Sequence, residues 1–187
     1  MKELKPKKCR HKQCKAIFTP KYTGTIACSP ECAIAIVTMK REAKEQKLAR
    51  QAHRQTKERL KTRSQWIKEA QAVFNSFIRA RDRHQLCICC DKPLGANEVG
   101  GNFDAGHYRS VGSAPHLRFD ERNCHAQRKY CNRYGSGRAV DYRIGLIKRL
   151  GVKAVELLEA DQAPKKYSVA DIEEIKKLYK LKLKETQ

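Results

Sequence analysis

Two groups of residues in this sequence have types and spacings suited to chemistry, and both are built around its nine cysteines. Cys9-x4-Cys14 and Cys28-x3-Cys32 are two close pairs joined by a thirteen-residue loop containing Phe18, Pro20, Tyr22 and Gly24. Such pairs let four thiolates converge tetrahedrally, the shell that soft sulfur ligands give a structural zinc ion. His11 lies inside the first pair and is an alternative ligand, although four cysteines already complete the shell. A shell closed by protein leaves no position for water, so its expected role is folding or DNA contact. The second group spans residues 87–137, where Cys87-x2-Cys90 is followed by Asp104 and His107, then Asn123, then Cys131-Asn132. Hydrolysing a phosphodiester requires a base to activate water and a divalent ion to relieve charge on the leaving oxygen. His107 is a candidate base, and Asp104 and Asn132 offer oxygen ligands suited to magnesium. Each also has a structural use. A histidine in a glycine-rich loop is commonly just solvated, and asparagines cap turns and helices.

The composition restricts the partners. With 41 Lys+Arg against 20 Asp+Glu, the chain carries a formal net charge of +21, which selects polyanions. No run approaches the roughly 18 apolar residues of a membrane span, and MKELKPKKCRHK lacks the apolar core of a secretion signal. The expected location is therefore the cytoplasm of the cell that makes it. An odd cysteine count without an export signal favours metal binding over a disulfide framework. Five Phe, seven Tyr and one Trp cannot fill two large cores, so metal staples are expected to supplement apolar packing.

Elements must bring these residues together. Residues 33–63 contain no Gly or Pro and hold ten Lys/Arg against three Glu, as an exposed basic helix or linker would. Behind Ser64 as a candidate N-cap, Trp66, Ile67, Ala70, Val73, Phe74, Phe77 and Ile78 recur at helical spacing. From Cys87 to Phe119 the chain is turn-rich and predicts a knuckle and a hairpin, with a helix starting near Cys131. Helical patterns resume over Val140–Leu150 and Val152–Ala160, punctuated by Gly151. A last helix is expected from Ser168, with Asp171 three residues on. The expected fold class is α+β and mainly helical. Its parts are a small zinc module over 1–32, a basic helical linker over 33–63, and a domain over 64–187 with C-terminal helices.

The run FDAGHYRS, APHLRFDERNCHAQ, CN and SG, with the N-terminal CSPEC and the SQWIKEAQ helix, resembles the NinG (Rap) recombination proteins of lambdoid phages from Cys9 to the final helix. More distantly, the central block is similar to HNH nucleases and phage endonuclease VII, which share the ββα-metal (His-Me) finger. The resemblance implies that His107 is the general base, that Asn123 ties the loop and orients it, and that Asn132 is a metal ligand. Asp104 stands three residues before the base, whereas the commoner pattern has an acid immediately before it. One departure matters more. The family pattern has a C-x2-C pair before the asparagine, and here its first position is Arg128. The second zinc shell is then expected from Cys87, Cys90 and Cys131 with Cys124 as fourth ligand, His125 and Cys89 being rivals and Cys89 the spare.

The resemblance implies a metal-dependent endonuclease acting on branched recombination intermediates such as Holliday junctions and D-loops, with zinc as structural metal and magnesium or manganese as catalytic metal. Arg109, Arg118, Arg122, Arg128, Lys129 and Arg133 surround the candidate cleft in sequence and are expected to contact phosphates. Two cuts in a symmetric junction call for two active sites, hence an expected homodimer. The competing expectation is a non-catalytic, zinc-dependent DNA or RNA binder. Charge, cysteines and helices suit both, and only His107, Asn123 and Asn132 separate them.

Overall fold

The computed structural model describes residues 4–95 and 101–186. The chain divides into two compact units, residues 1–61 and 62–187. In the first unit, β1 (Lys7–Lys8) pairs antiparallel with β2 (Ile17–Phe18), and the chain then enters α1 (Pro30–Arg59). Helix α1 starts inside the expected zinc module, because Ser29 is an efficient cap. Its side chain accepts from the Cys32 amide at 3.3 Å, and Pro30 fits the first turn, where no amide hydrogen is needed. Glu31 in the first turn and Lys57 and Arg59 in the last complement the helix dipole. Over its thirty residues only Ile36 is buried, against Cys9 and Ala27, so most of α1 is solvated.

The second unit begins with α2 (Arg63–Arg81). Its cap is Thr62, not Ser64. Thr62 accepts from the Gln65 amide and Gln65 Oε1 accepts from the Thr62 amide, a reciprocal box that Ser64 could not close with Ile67 three residues on. The buried face is Trp66, Ala70, Phe74, Phe77 and Ile78, and it packs on α5 (Val169–Glu185). Phe74 meets Tyr179 edge-on with ring centroids 4.7 Å apart. The apolar face of α2 is therefore covered within the chain and offers no dimer surface. Ser168 and Asp171 form the capping box that opens α5.

Between these helices and a second core lies the hairpin that carries the candidate site. Strand β3 (Phe103–His107) pairs antiparallel with β4 (Cys124–Arg128), from Phe103 opposite Arg128 to His107 opposite Cys124. The second strand thus lies beyond the expected Cys87–Phe119 span. Residues 108–123 instead make a long connection with short 3-10 turns at Pro115–Leu117 and Glu121–Asn123. The outer edge of β4 is not left open. Arg81 donates to the Cys124 carbonyl at 2.9 Å, the Ala126 amide donates to Asp82 at 2.8 Å, and the Ile88 amide donates to the Ala126 carbonyl. After β4 comes one π-helical turn, Tyr130–Tyr134, then α3 (Ala139–Leu150) and α4 (Val152–Ala160), with Gly151 between them at φ 83°. No helix among the described residues is long and apolar enough to cross a membrane.

The knuckle at 87–90 is held by direct contact between a helix and a backbone. A Cβ added to Gly145 of α3 would lie 1.7 Å from the Ile88 carbonyl oxygen. That oxygen belongs to the main chain and cannot rotate away. Gly145→Ala is expected to destabilise residues 62–187 by at least the ~1–3 kcal/mol of ordinary core overpacking, read as a lower urea midpoint at unchanged slope.

Candidate active site and metal centres

Two clusters of four thiols stand ready for a metal ion. The sulfurs of Cys9, Cys14, Cys28 and Cys32 lie within 4.8 Å of one another, as do those of Cys87, Cys89, Cys90 and Cys131. Edges of 3.5 Å (Cys14 to Cys28), 3.7 Å (Cys28 to Cys32) and 3.6 Å (Cys87 to Cys89, and Cys90 to Cys131) are too long for disulfides. They suit a tetrahedron whose zinc–sulfur bonds of about 2.3 Å set edges of about 3.8 Å. His11 stands outside the first set, its Nδ1 3.8 Å from Cys32 Sγ.

In the second cluster the fourth thiol is Cys89, which corrects the expectation for Cys124 and for Cys89 as the spare. Strand alternation explains the exchange: Cys124 opposes His107 and packs in the α2 and α5 core. His125 is also excluded, buried against the Tyr142 ring. Donors surround the second cluster, the Arg128 amide reaching Cys87 Sγ and Gln127 Nε2 reaching Cys89 Sγ, each at 3.3 Å. Burial pushes the Cys90 thiol up, but hydrogen bonds with the Lys92 backbone and the side chains of Cys87, Cys131 and Arg128 bring it below its ordinary value.

His107 ends β3. Its Nε2 lies 3.0 Å from the Arg118 carbonyl, which assigns the proton to Nε2 and leaves the lone pair on Nδ1, 3.8 Å from Cys124 Sγ. Burial against Phe74 lowers its pKa and outweighs the opposing pull of the Arg118 carbonyl, so the ring is neutral near pH 7. Asn123 is fully buried and ties the two ends of the connection. It accepts from the Arg109 amide at 2.8 Å and donates to the Arg109 and Leu117 carbonyls at 3.0 and 3.2 Å. The carbonyl that holds His107 belongs to the next residue, Arg118. Asn123→Ala would strand these buried groups, at a cost of about 1–3 kcal/mol. Faster hydrogen exchange over residues 109–118 is the expected signature.

Asp104 and Asn132 are brought together. Asn132 Nδ2 donates to Asp104 Oδ2 at 3.2 Å, and Arg133 clamps both Asp104 oxygens at 2.9 and 3.1 Å. Burial opposes ionisation of Asp104, yet bonds from Arg133 and Asn132 hold its carboxyl below the usual range. A cation taking oxygen ligands from Asp104 and Asn132 would compete with Arg133, which already bonds both Asp104 oxygens. His107 stands apart from this pair, three residues along the strand and on the opposite face, a Cα span of about 10 Å. Among the described residues no hydrogen bond joins it to Asp104 or Asn132.

Four of the expected phosphate contacts, Arg109, Arg118, Arg122 and Arg133, are engaged within the chain. The Arg109 guanidinium is engaged with the Leu158 and Glu159 carbonyls and Gln162, satisfying the end of α4. Arg118 donates to Gln71, Arg122 clamps Asp120, and Arg133 clamps Asp104. Sequence reasoning missed the braces behind β3. Tyr142 donates to the Gly106 carbonyl at 2.7 Å and accepts from the His125 amide at 3.0 Å, and Arg81 and Asp82 fasten β4. No sequence spacing points from Tyr142, Arg81 or Asp82 to the hairpin, because the groups they bind are backbone atoms far along the chain.

The family described as Bacteriophage Lambda NinG protein matches residues 1–187. Protein ninG of Salmonella phage P22 is 38% identical, covering 96% of this chain and 93% of the relative. Its counterpart in Escherichia phage lambda is 37% identical, covering 96% and 92%, and that in Escherichia phage 933W is 38% identical, covering 97% and 94%. No solved structure matches. Relatives this similar along nearly their whole length, together with a family match from first residue to last, make the chain a member of the NinG family of lambdoid phages.

Proposed function

We propose that the protein is a metal-dependent endonuclease of the His-Me finger type, acting on branched DNA during phage recombination. One observation carries the proposal. A hairpin ends its first strand in a neutral histidine, a buried asparagine ties the loop behind that histidine, and an asparagine directly after a zinc-cluster cysteine meets an acid of the same hairpin. The order His107, Asn123, Asn132 along the chain is the one that the resemblance to HNH and endonuclease VII sites implies, while Asp104 departs from the commoner spacing. In this mechanism His107 accepts a proton from the attacking water. Asp104 and Asn132 would hold a magnesium or manganese ion, which when bound would supply charge stabilisation for the departing 3′ oxygen. Asn123 keeps the 109–118 segment and the Arg118 carbonyl in place. The Arg118 carbonyl keeps the proton on Nε2 and leaves the lone pair of Nδ1 to accept, whereas Arg133 competes with a cation for Asp104.

The Arg133 clamp on Asp104, and the placement of His107 three residues along β3 on the opposite face, favour a second reading as a non-catalytic binder of branched DNA. Product formation on an end-labelled four-way junction decides between them, measured with and without magnesium at saturating zinc. Nicking that requires magnesium supports the endonuclease. No product with magnesium or manganese, on junctions, forks and D-loops alike, establishes the binder. Chelation alone is uninformative, since zinc removal would unfold either protein.

A further inference from the structure

We infer that Tyr130 and Tyr134 form a stacking platform for unpaired bases of a branched DNA strand. The inference rests on branched DNA being the target, and holds whether or not the protein cuts it. Both residues lie on the π-helical turn that follows β4, with Asn132 between them. Their side chains are 66% and 81% exposed, whereas the other tyrosines of this unit, Tyr108, Tyr142, Tyr167 and Tyr179, are buried or half-buried. The two rings adjoin, centroids 6.3 Å apart and planes inclined by 37°, as one continuous aromatic surface. Folding does not call for this pair, because neither ring belongs to a core cluster.

The turn is held firmly from within. Cys131 belongs to the second thiol cluster, and the Gly135 and Gly137 amides donate to the carbonyls of Tyr130 and Cys131 at 2.9 and 3.1 Å. The rings are therefore presented on a fixed base, which lowers the ordering cost of binding. Charge identifies the occupant. Residues 128–138 contain Arg128, Lys129, Arg133 and Arg138 and no acidic residue, and although Arg133 and Arg138 pair with Asp104 and Asp141 the four cations outnumber these two acids. Flat apolar faces joined to closely spaced anions are the chemistry of a nucleic-acid strand, and aromatic side chains stack on bases irrespective of sequence. A continuous duplex hides those faces within its own stack. A fork, flap or junction exposes them at the branch, so the platform separates branched from linear DNA without reading bases.

The test uses the full-length protein with both zinc sites filled and calcium in place of magnesium, so that binding is measured without turnover. The probe is a forked DNA carrying 2-aminopurine at the first unpaired position; a linear duplex of equal length is the control. Wild type is expected to quench the fluorophore and to prefer the fork. Tyr130→Ala with Tyr134→Ala should abolish the quench and weaken fork binding about ten- to hundredfold, leaving duplex binding unchanged. The double Phe variant should restore both. Equal loss on fork and duplex, failure of Phe to rescue, or no wild-type preference for the fork would each overturn the inference. An unchanged zinc count and melting temperature in the Ala variant exclude unfolding as the cause. A wild type that behaves as expected here yet never cuts refutes the endonuclease and leaves the platform standing.

Discussion

Cys89→Ala is expected to lower the zinc content from two ions per chain to one and to unfold residues 62–187, whereas Cys124→Ala keeps both ions and the fold. Native mass spectrometry reads the count, and circular dichroism reads the helices of the second unit. The asymmetry follows from position. Cys89 shares its cluster with Cys87, Cys90 and Cys131, while Cys124 sits in the α2 and α5 core beside His107. Structural zinc contributes about 10–16 kcal/mol of apparent binding free energy in small zinc peptides. A domain is stable by only about 5–15 kcal/mol, so losing a ligand is comparable to the whole margin. Truncating Cys124 removes one sulfur from a packed site, which belongs with the milder core truncations of about 1 kcal/mol or somewhat more. Loss of zinc from Cys124→Ala, with Cys89→Ala still carrying two ions, would reverse the assignment.

Arg128 stands where the resemblance implies the first cysteine of a C-x2-C pair. Without a cysteine there, Cys87, Cys90 and Cys131 alone would make a three-thiol shell. The knuckle here reads Cys87-Ile88-Cys89-Cys90, so the fourth sulfur comes from inside the same turn. Four thiolates around one divalent ion make a net negative centre. The Arg128 amide donates to Cys87, and its side chain acts on Cys90, so Arg128 supports the site without being one of its ligands.

Features governed by local periodicity were legible in the sequence; those governed by facing surfaces were not. Apolar spacing located α2, and Ser168 with Asp171 marked the start of α5. The Ser64 cap was misplaced by two residues because Thr62 with Gln65 closes a box that Ser64 cannot. The partner of β3 was hidden because sixteen residues of irregular connection separate the strands, and no turn signal fixes a register over that distance. Register decides which cysteine joins the metal shell, since it turns Cys124 toward His107. Neither Tyr142 nor the Arg81 and Asp82 brace has a sequence spacing that points to the hairpin, as their partners are backbone groups far along the chain. The role of Asn123 was legible only through resemblance, which implied a loop tie, and its bonds to Arg109 and Leu117 join that loop. Asn132, expected as a metal ligand, lies beside Asp104, while the distance of His107 from Asp104 had no counterpart in the pattern.

His107→Ala is expected to lower junction cleavage by about 10²–10⁴-fold, the usual worth of a positioned general base, without loss of junction binding. Asn132→Ala should abolish magnesium-dependent cleavage with little effect on stability, because among the described residues its side chain hydrogen-bonds to Asp104 alone. The pH profile separates the two. A base works when neutral, and burial lowers the His107 pKa below its ordinary 6.5, so wild-type cleavage should hold at pH 7 and fall only as acid protonates the ring below 6.5. The same depression makes the folded state bind protons less readily than the unfolded one through this group. Its contribution to stability is thus present above pH 6.5 and declines as pH falls from there toward the folded pKa. In His107→Ala that part of the acid sensitivity should disappear, along with the acid limb of whatever cleavage remains. Asn132→Ala, which leaves His107 in place, should keep the acid limb in any residual activity. Wild-type cleavage by folded His107→Ala, at any pH between 6 and 8, would remove this residue from the mechanism.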